Sequence, residues 1–219
     1  MNEYIYYMTS FEDYPLTSST VMQMQMQIEG HGIGTMNEVL KTNTHSDNIS
    51  NSANANANAP HFLSDTWILW AHLPHDTDWS IKSYTKIFEF NTLEQAVTIT
   101  EMLPPKLIVN CMLFLMRKGI NPIWEDERNR NGGCFSYKII NKDVPGAWKQ
   151  MSYLLVGETM SDNVNILSHI NGITISPKKN FCIMKVWVAN CLFQDATVIR
   201  DVEGVSSHGC LFKRHVPEY

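Results

Sequence analysis

No stretch of this 219-residue chain stays apolar for the roughly 20 consecutive residues that a membrane-spanning helix needs. Nor does the N-terminus open with a basic region followed by an apolar run, so neither a membrane span nor a secretory leader is expected. Cysteine is sparse and unpatterned. Cys111, Cys134, Cys182, Cys191 and Cys210 are odd in number and include no C-x-x-C pair, which argues against both a zinc site and a disulfide framework. They read as reduced, mostly buried thiols of a cytosolic protein. His61, His72, His75, His169, His208 and His215 show no metal-ligand spacing. A phosphate-cradling glycine loop and a nucleophile elbow are both missing from the sequence. No cofactor and no metal are therefore expected. Basic residues are nearly absent from the first 60 positions, where Lys41 alone faces Glu3, Glu12, Asp13, Glu29, Glu38 and Asp47. That segment accounts for the whole net charge of -5. From His61 onward acids and bases balance, which excludes a nonspecific nucleic-acid binder held by bulk charge and leaves any phosphate contact to local residues.

Residues 41–60, KTNTHSDNISNSANANANAP, are Asn, Ser and Ala with almost nothing to bury. The preceding VMQMQMQIEGHGIG alternates without a core partner. Residues 1–60 are therefore expected to be a low-complexity, disordered extension, in which only YIYYMTSF is aromatic enough to dock on anything. The Asn-rich composition suits an AT-rich genome, such as that of a protist or a large DNA virus. Residues 61–219 have the texture of one folded domain. TWILWAHL (66–73), YTKIFEF (84–90), NCMLFLMR (110–117), CFSYKII (134–140), NGITIS (171–176), NFCIMKVWV (180–188) and GCLFKRHV (209–216) are short aromatic and β-branched runs that predict strands.

Three helical patterns lie between them. The first starts near Thr92, with Gln95 three residues on, and is ended by Pro104 and Pro105. The second opens near Pro145 and stops near Gly157. The third is expected from about Asn190 to Val202. The alternation predicts an α+β fold, an antiparallel sheet with helices on one face and the other face free for a ligand.

Six tryptophans follow His61. Trp67 and Trp70 in a strand and Trp148 in a helix read as buried bulk. Trp79 and Trp124 sit among turn formers, where an indole either packs over the end of the core or stacks on a ligand. The neighbour of Trp124 favours a ligand. The Glu125 carboxylate matches two parallel N–H donors in one plane, which guanine presents at N1 and N2. A guanine methylated at N7 is cationic, and two indole faces favour it over the neutral base.

HFLSDTWILW, Trp79, FEFNTLEQ, KGINPIWEDERNRNGG, LLVGE and KVWV resemble, in order and spacing, the messenger-RNA cap-binding translation initiation factor 4E family. The resemblance spans about residues 61–188 and implies a curved antiparallel sheet backed on its convex face by about three helices, with the 7-methylguanosine cap on the concave face. It implies a Trp79–Trp124 sandwich, Glu125 on the guanine edge and Trp187 near the N7-methyl. Lys178 falls on one of the family's phosphate-binding positions. Asn180, Ile183 and Cys134 replace the other basic positions, so Lys179 is expected to compensate and Lys185 is a further candidate. On the helical side, where the family docks a scaffold or repressor protein, Phe62, Val97, Lys149, Gln150 and Tyr153 depart from the family pattern and imply a non-standard partner.

The resulting expectation is a noncatalytic cytoplasmic protein that binds capped messenger RNA in translation initiation, in the host cytoplasm if the source is viral. A cap-sequestering repressor with an altered partner face is the alternative within the family. A nucleotide-processing enzyme using the WEDE acids, or a structural domain whose loop tryptophans are simply packed, lies outside it. Asp126 and Glu127 are expected to pair with Arg128 or Arg130 across the turn.

Overall fold

Period-two alternation turns the short apolar runs into a sheet with two usable faces. The computed structural model describes residues 59–215. The expectations for residues 1–58, including YIYYMTSF, fall outside the described residues. Seven strands, β1 (Phe62–His72), β2 (Tyr84–Thr92), β3 (Met112–Arg117), β4 (Gly133–Ile140), β5 (Ile170–Pro177), β6 (Phe181–Val188) and β7 (Leu211–Arg214), form one sheet in the order β2-β1-β3-β5-β6-β4-β7. All pairings are antiparallel. Every strand run read from the sequence is present, and the fold is a curved α+β sheet as expected.

Among the described residues four helices accompany the sheet: α1 (Leu93–Met102), α2 (Pro105–Asn110), α3 (Val144–Val156) and the single turn α4 (Val164–Leu167). Thr92 Oγ1 accepts from Gln95 N at 3.3 Å, and Gln95 Oε1 accepts from Asn91 N at 3.2 Å, so the start of α1 is tied from both sides. Pro104 and Pro105 do end α1. Pro105 also begins α2, at a position where a missing N–H leaves no bond unmade. α3 carries its own proline in the first turn and buries Ala147, Trp148, Met151 and Leu155 along one side.

The third expected helix does not form. Residues 190–202 are irregular apart from a 3-10 turn at Ala196–Val198. Asn190 Oδ1 accepts from Leu192 N and Asp195 Oδ1 accepts from Thr197 N, both at 3.0 Å. These local side-chain bonds offer the backbone an alternative to the helical ladder. The segment instead carries the chain from β6 around to the β7 edge.

Alternate residues of each strand serve different faces. Trp67, Leu69 and Ala71 of β1, Leu113 and Leu115 of β3, and Met184, Val186 and Val188 of β6 join the helices in the main core. Phe114 and Met116 of β3 and Trp187 of β6 point the other way and form a second apolar cluster with Ile120, flanked by Trp70, Tyr84 and Met112. That second cluster is the floor of the free face.

The double glycine before β4 has a steric origin. A Cβ on Gly132 would lie 1.7 Å from the Val188 carbonyl oxygen, and one on Gly133 would lie 2.6 Å from the Lys213 oxygen and from the Phe212 ring. Only glycine lets β6 and β7 close against this end of β4. Gly132→Ala is expected to destabilise the fold by at least the roughly 1–3 kcal/mol typical of overpacking, read as a lower midpoint in urea unfolding with an unchanged slope.

Candidate functional site

The loop between β3 and β4, residues 118–132, folds around one buried amide. Asn129 is fully buried, and its Nδ2 donates to the carbonyls of Asn121 at 3.0 Å and Ile123 at 2.8 Å. Its Oδ1 accepts from Asn171 Nδ2 at 2.9 Å, and that amide also donates to Arg128 O at 2.8 Å. Asp126 closes the turn from inside, accepting from Asn121 N and Arg128 N at 3.0 Å each. The expected pairing of Asp126 or Glu127 with Arg128 or Arg130 is not made: among the described residues no ion pair joins them. Backbone N–H groups lie closer to Asp126 than either guanidinium, and a carboxylate at the head of a turn takes them first.

Pinned in this way, Trp124 and Glu125 project from the loop, with Trp124 43% exposed. Trp79 lies in the irregular segment after β1 and is 54% exposed. The two indoles, Glu125 and the buried Trp187 line one cleft of about 190 Å³ over the second apolar cluster. Tyr84, Met112, Phe114, Pro122, Ile123, Thr174, Ser176 and Lys185 complete its lining. All four residues read as base-binding are thus brought together from three separate segments: the stretch after β1, the β3–β4 loop and β6.

Glu125 acts across this space. Burial, and after it the Glu125 charge, push the Tyr84 phenol up to about 12, so Tyr84 keeps its proton opposite the carboxylate. Thr174 Oγ1 and Trp187 Nε1, both on cleft-lining residues, are buried without a hydrogen-bond partner. Trp187 is backed by His215, with ring centroids 4.7 Å apart and planes inclined at 52°. His215 Nδ1–H donates to Asn129 O at 2.8 Å, joining the end of β7 to the amide that holds the Trp124 loop.

The loop lysines are placed differently. Lys178 and Lys179 are exposed at the β5–β6 turn and do not line the cleft. Lys185 does, from the middle of β6, opposite Thr174 on β5 and Ser136 on β4. Cys134 pairs with both Trp187 and Lys213, and its thiol is buried.

On the helical side Phe62 is 71%, Leu93 46% and Val97 40% exposed. Leu93 N donates to His61 O at 2.8 Å, which sets the start of β1 against the start of α1. Glu101 of α1 takes both Lys149 Nζ at 2.5 Å and the Tyr153 hydroxyl at 2.8 Å from α3. The Lys149 bond first, then Tyr153, hold the Glu101 carboxyl below the usual carboxylate range. Gln150, between them, is half-buried.

Sequence reasoning missed the supports of the site: Asn129, Asn171, His215 and, behind Trp79, His72. Asn129 stood in plain view between two arginines, but its partners lie 42 and 86 residues away. His72 and His215 were read only for metal spacing.

The sequence profile of the family described as Eukaryotic initiation factor 4E matches residues 62–207. The chain is 45% identical over 63 residues to a eukaryotic translation initiation factor 4E homolog of Acanthamoeba polyphaga mimivirus, covering 29% of this chain and 23% of that one. It is 30% identical over 144 residues to eukaryotic translation initiation factor 4E-2 of Schizosaccharomyces pombe, covering 62% of this chain and 56% of that one. These matches span from about a quarter to just over half of the relatives' own lengths. Among solved structures, schistosome eIF4E complexed with m7GpppG and 4E-BP superposes with a TM-score of 0.55 at 25% identity, covering 61% of this chain and 74% of that one.

His215 gives the site an acid limit. Burial first, with the Lys185 charge adding to it, holds His215 below the ordinary histidine value of 6.5 against the pull of its bond to Asn129. As pH falls, the unfolded chain takes up this proton before the folded one does. The stability that neutral His215 contributes is therefore complete above about pH 6.5 and lost as pH drops through the lower folded value. Urea unfolding at about pH 7.5 and about pH 5.5 is expected to show a smaller acid loss in His215→Phe than in the parent protein.

Proposed function

The chain belongs to the eukaryotic initiation factor 4E family, and from that premise we propose that it binds the 7-methylguanosine cap of messenger RNA in translation initiation. The single observation that carries this reading is the convergence of Trp79, Trp124, Glu125 and Trp187 on one cleft. Trp79 and Trp124 take the two faces of the base. Glu125 accepts from its N1–H and N2–H, and Trp187 walls the N7-methyl. The methyl makes the base cationic, and indole faces together with one carboxylate stabilise that charge. No bond is made or broken; the protein is a binding factor acting in the cytoplasm.

Phosphate recognition follows the altered lysines. Lys185, on the cleft floor, meets the phosphate nearest the ribose. Lys178 and Lys179 at the β5–β6 turn engage phosphates further out. Cys134, Ile183 and Asn180 supply no charge, so the grip on the distal phosphates rests on fewer cations than the family pattern provides.

The partner on the helical face is a scaffold or repressor protein with a non-standard helix. Its apolar contacts are Phe62, Leu93 and Val97, while Lys149 and Tyr153 already occupy Glu101. A cap-sequestering repressor is the second reading, favoured by the same altered face. Tethering the protein to a reporter message separates the two: raised translation supports an initiator, lowered translation a repressor.

Stacking contacts are worth about 1–3 kcal/mol each on truncation, and a charge-assisted carboxylate pairing about 1.5–3 kcal/mol. Retention on immobilised 7-methylguanosine triphosphate is therefore expected, with elution by the free methylated nucleotide and not by GTP. Trp124→Ala and Glu125→Ala should each weaken binding by about 10-fold or more. Equal elution by both nucleotides would sink the recognition of a cation, and unchanged affinity in Glu125→Ala would remove the base-edge role. Lys185→Met should reduce affinity for the triphosphate while leaving that for the methylated nucleoside near the parent value.

A further inference from the structure

We propose that His72 is the positioning residue of Trp79, holding the indole from behind so that a single face is offered to the base. The inference rests on the cap-binding reading of the cleft. It starts from an oddity of Trp79: a large side chain, 54% exposed, on an irregular segment that follows the end of β1. An indole there, left to itself, would sample several rotamers, and fixing it at the moment of binding would cost affinity.

His72 removes that freedom. Its imidazole lies against the Trp79 indole with ring centroids 4.4 Å apart and planes only 4° from parallel, a parallel stack. His72 is 1% exposed and does not line the cleft, so no ligand reaches it there. The stacked face of the indole is closed and the opposite face is the one left for the ligand.

The imidazole is itself held from several directions. As the last residue of β1, His72 pairs with Tyr84 of β2 on one side and Met112 of β3 on the other. The Tyr84 ring packs against it at 4.8 Å, tilted by 57°. Its Nε2 lies 2.8 Å from the carbonyl oxygen of Asp78, the residue immediately before Trp79. A carbonyl only accepts, so Nε2 carries a proton and donates it to Asp78 O. Nδ1 is buried without a partner. Asp78 then fixes the other side of the indole's own peptide, its carboxylate accepting from Ser80 N at 2.8 Å and from Ser80 Oγ at 2.9 Å. One histidine thus grips both the ring of Trp79 and the chain that leads into it.

The front face of the indole attracts a cationic base through its electron density, and the ring stacked behind it leaves that front face open. An aliphatic side chain of similar size would fill the same space without offering a face to stack on.

The test uses the full chain labelled with 5-fluorotryptophan, the Trp79 resonance being assigned by Trp79→Phe. In His72→Leu the ligand-free Trp79 resonance should move toward the free-indole position and sharpen. In His72→Phe, which keeps an aromatic face, it should stay dispersed. Affinity for 7-methylguanosine triphosphate should fall by roughly 5- to 10-fold in His72→Leu and by less than about 3-fold in His72→Phe. In a Trp79→Ala background His72→Leu should change affinity little, since the residue it positions is gone.

An unmoved fluorine resonance in His72→Leu overturns the proposal. So does an equal loss of affinity in the Leu and Phe variants, or a loss that persists undiminished in the Trp79→Ala background. If the parent protein does not bind the methylated nucleotide while the fluorine signature behaves as expected, the positioning stands and the reading of the ligand falls.

Discussion

The sheet has to bury both of its faces with helices on only one of them, and the rest of the structure answers to that constraint. On the helical side the problem is solved by Trp148, Met151 and Leu155 of α3 lying over the alternate residues of the strands. On the other side, among the described residues, Phe114, Met116 and Trp187 have no helix to cover them. Loops do the covering instead, and loops have few apolar residues to pack and many backbone groups to satisfy. A cleft is what remains where the loops stop short.

Such loops need polar anchors, and the structure supplies one to each side of the cleft. Asn129 is the anchor for the Trp124 side, spending both ends of its amide on the loop and on Asn171. His72 and Asp78 serve the Trp79 side. Buried amides and imidazoles are costly when unsatisfied, so each of these groups holds its segment in one arrangement rather than in a range of them. The electrostatics of the cleft follow from the same economy of parts. Among the described residues it holds one acid, Glu125, and one base, Lys185, on different elements, with a protonated Tyr84 between apolar floor residues. A ligand carrying a cationic ring and an anionic tail fits that separation of charge better than one carrying either alone.

How much of this was legible in the sequence divides along the range of the interactions. The strands are visible because alternation is local, and α1 because Thr92 and Gln95 sit three residues apart. The expected helix at 190–202 failed for a local reason too: Asn190 and Asp195 bond to the backbone two residues on, and hydrophobic spacing does not register that competition. In the cleft, Trp124 and Glu125 were legible because indole and carboxylate are adjacent in a turn and their chemistry can be read together. The supports were not. Asn171 and His215 reach Asn129 across the sheet, and the stack of His72 on Trp79 depends on how the chain doubles back after β1, which neither composition nor spacing encodes. Lys185 is the converse case, since a count along the chain leads to the turn residues Lys178 and Lys179 and cannot tell that a strand residue lines the cleft while the turn residues lie outside it.

The two sides of the sheet are under different kinds of chemical demand, which explains why they depart from the family pattern so unequally. On the proposed reading, the cleft answers to a ligand whose donors, ring size and charge are fixed, so indole, indole and carboxylate admit few substitutes. On the same reading, the helical face answers to another protein, whose own side chains can change in step. There Glu101 is closed by Lys149 and Tyr153 across the α1–α3 seam, while Phe62, Leu93 and Val97 stand exposed beside it. A partner that relied on a free acid at Glu101 would have to break two bonds to reach it. One that laid an apolar stripe along α1 would meet aliphatic surface at once, and specificity would then come from shape and from the rim charges rather than from a buried ion pair. The proposed change of partner chemistry is therefore one that the sheet permits without disturbing the cleft, because the two faces share strands but not side chains.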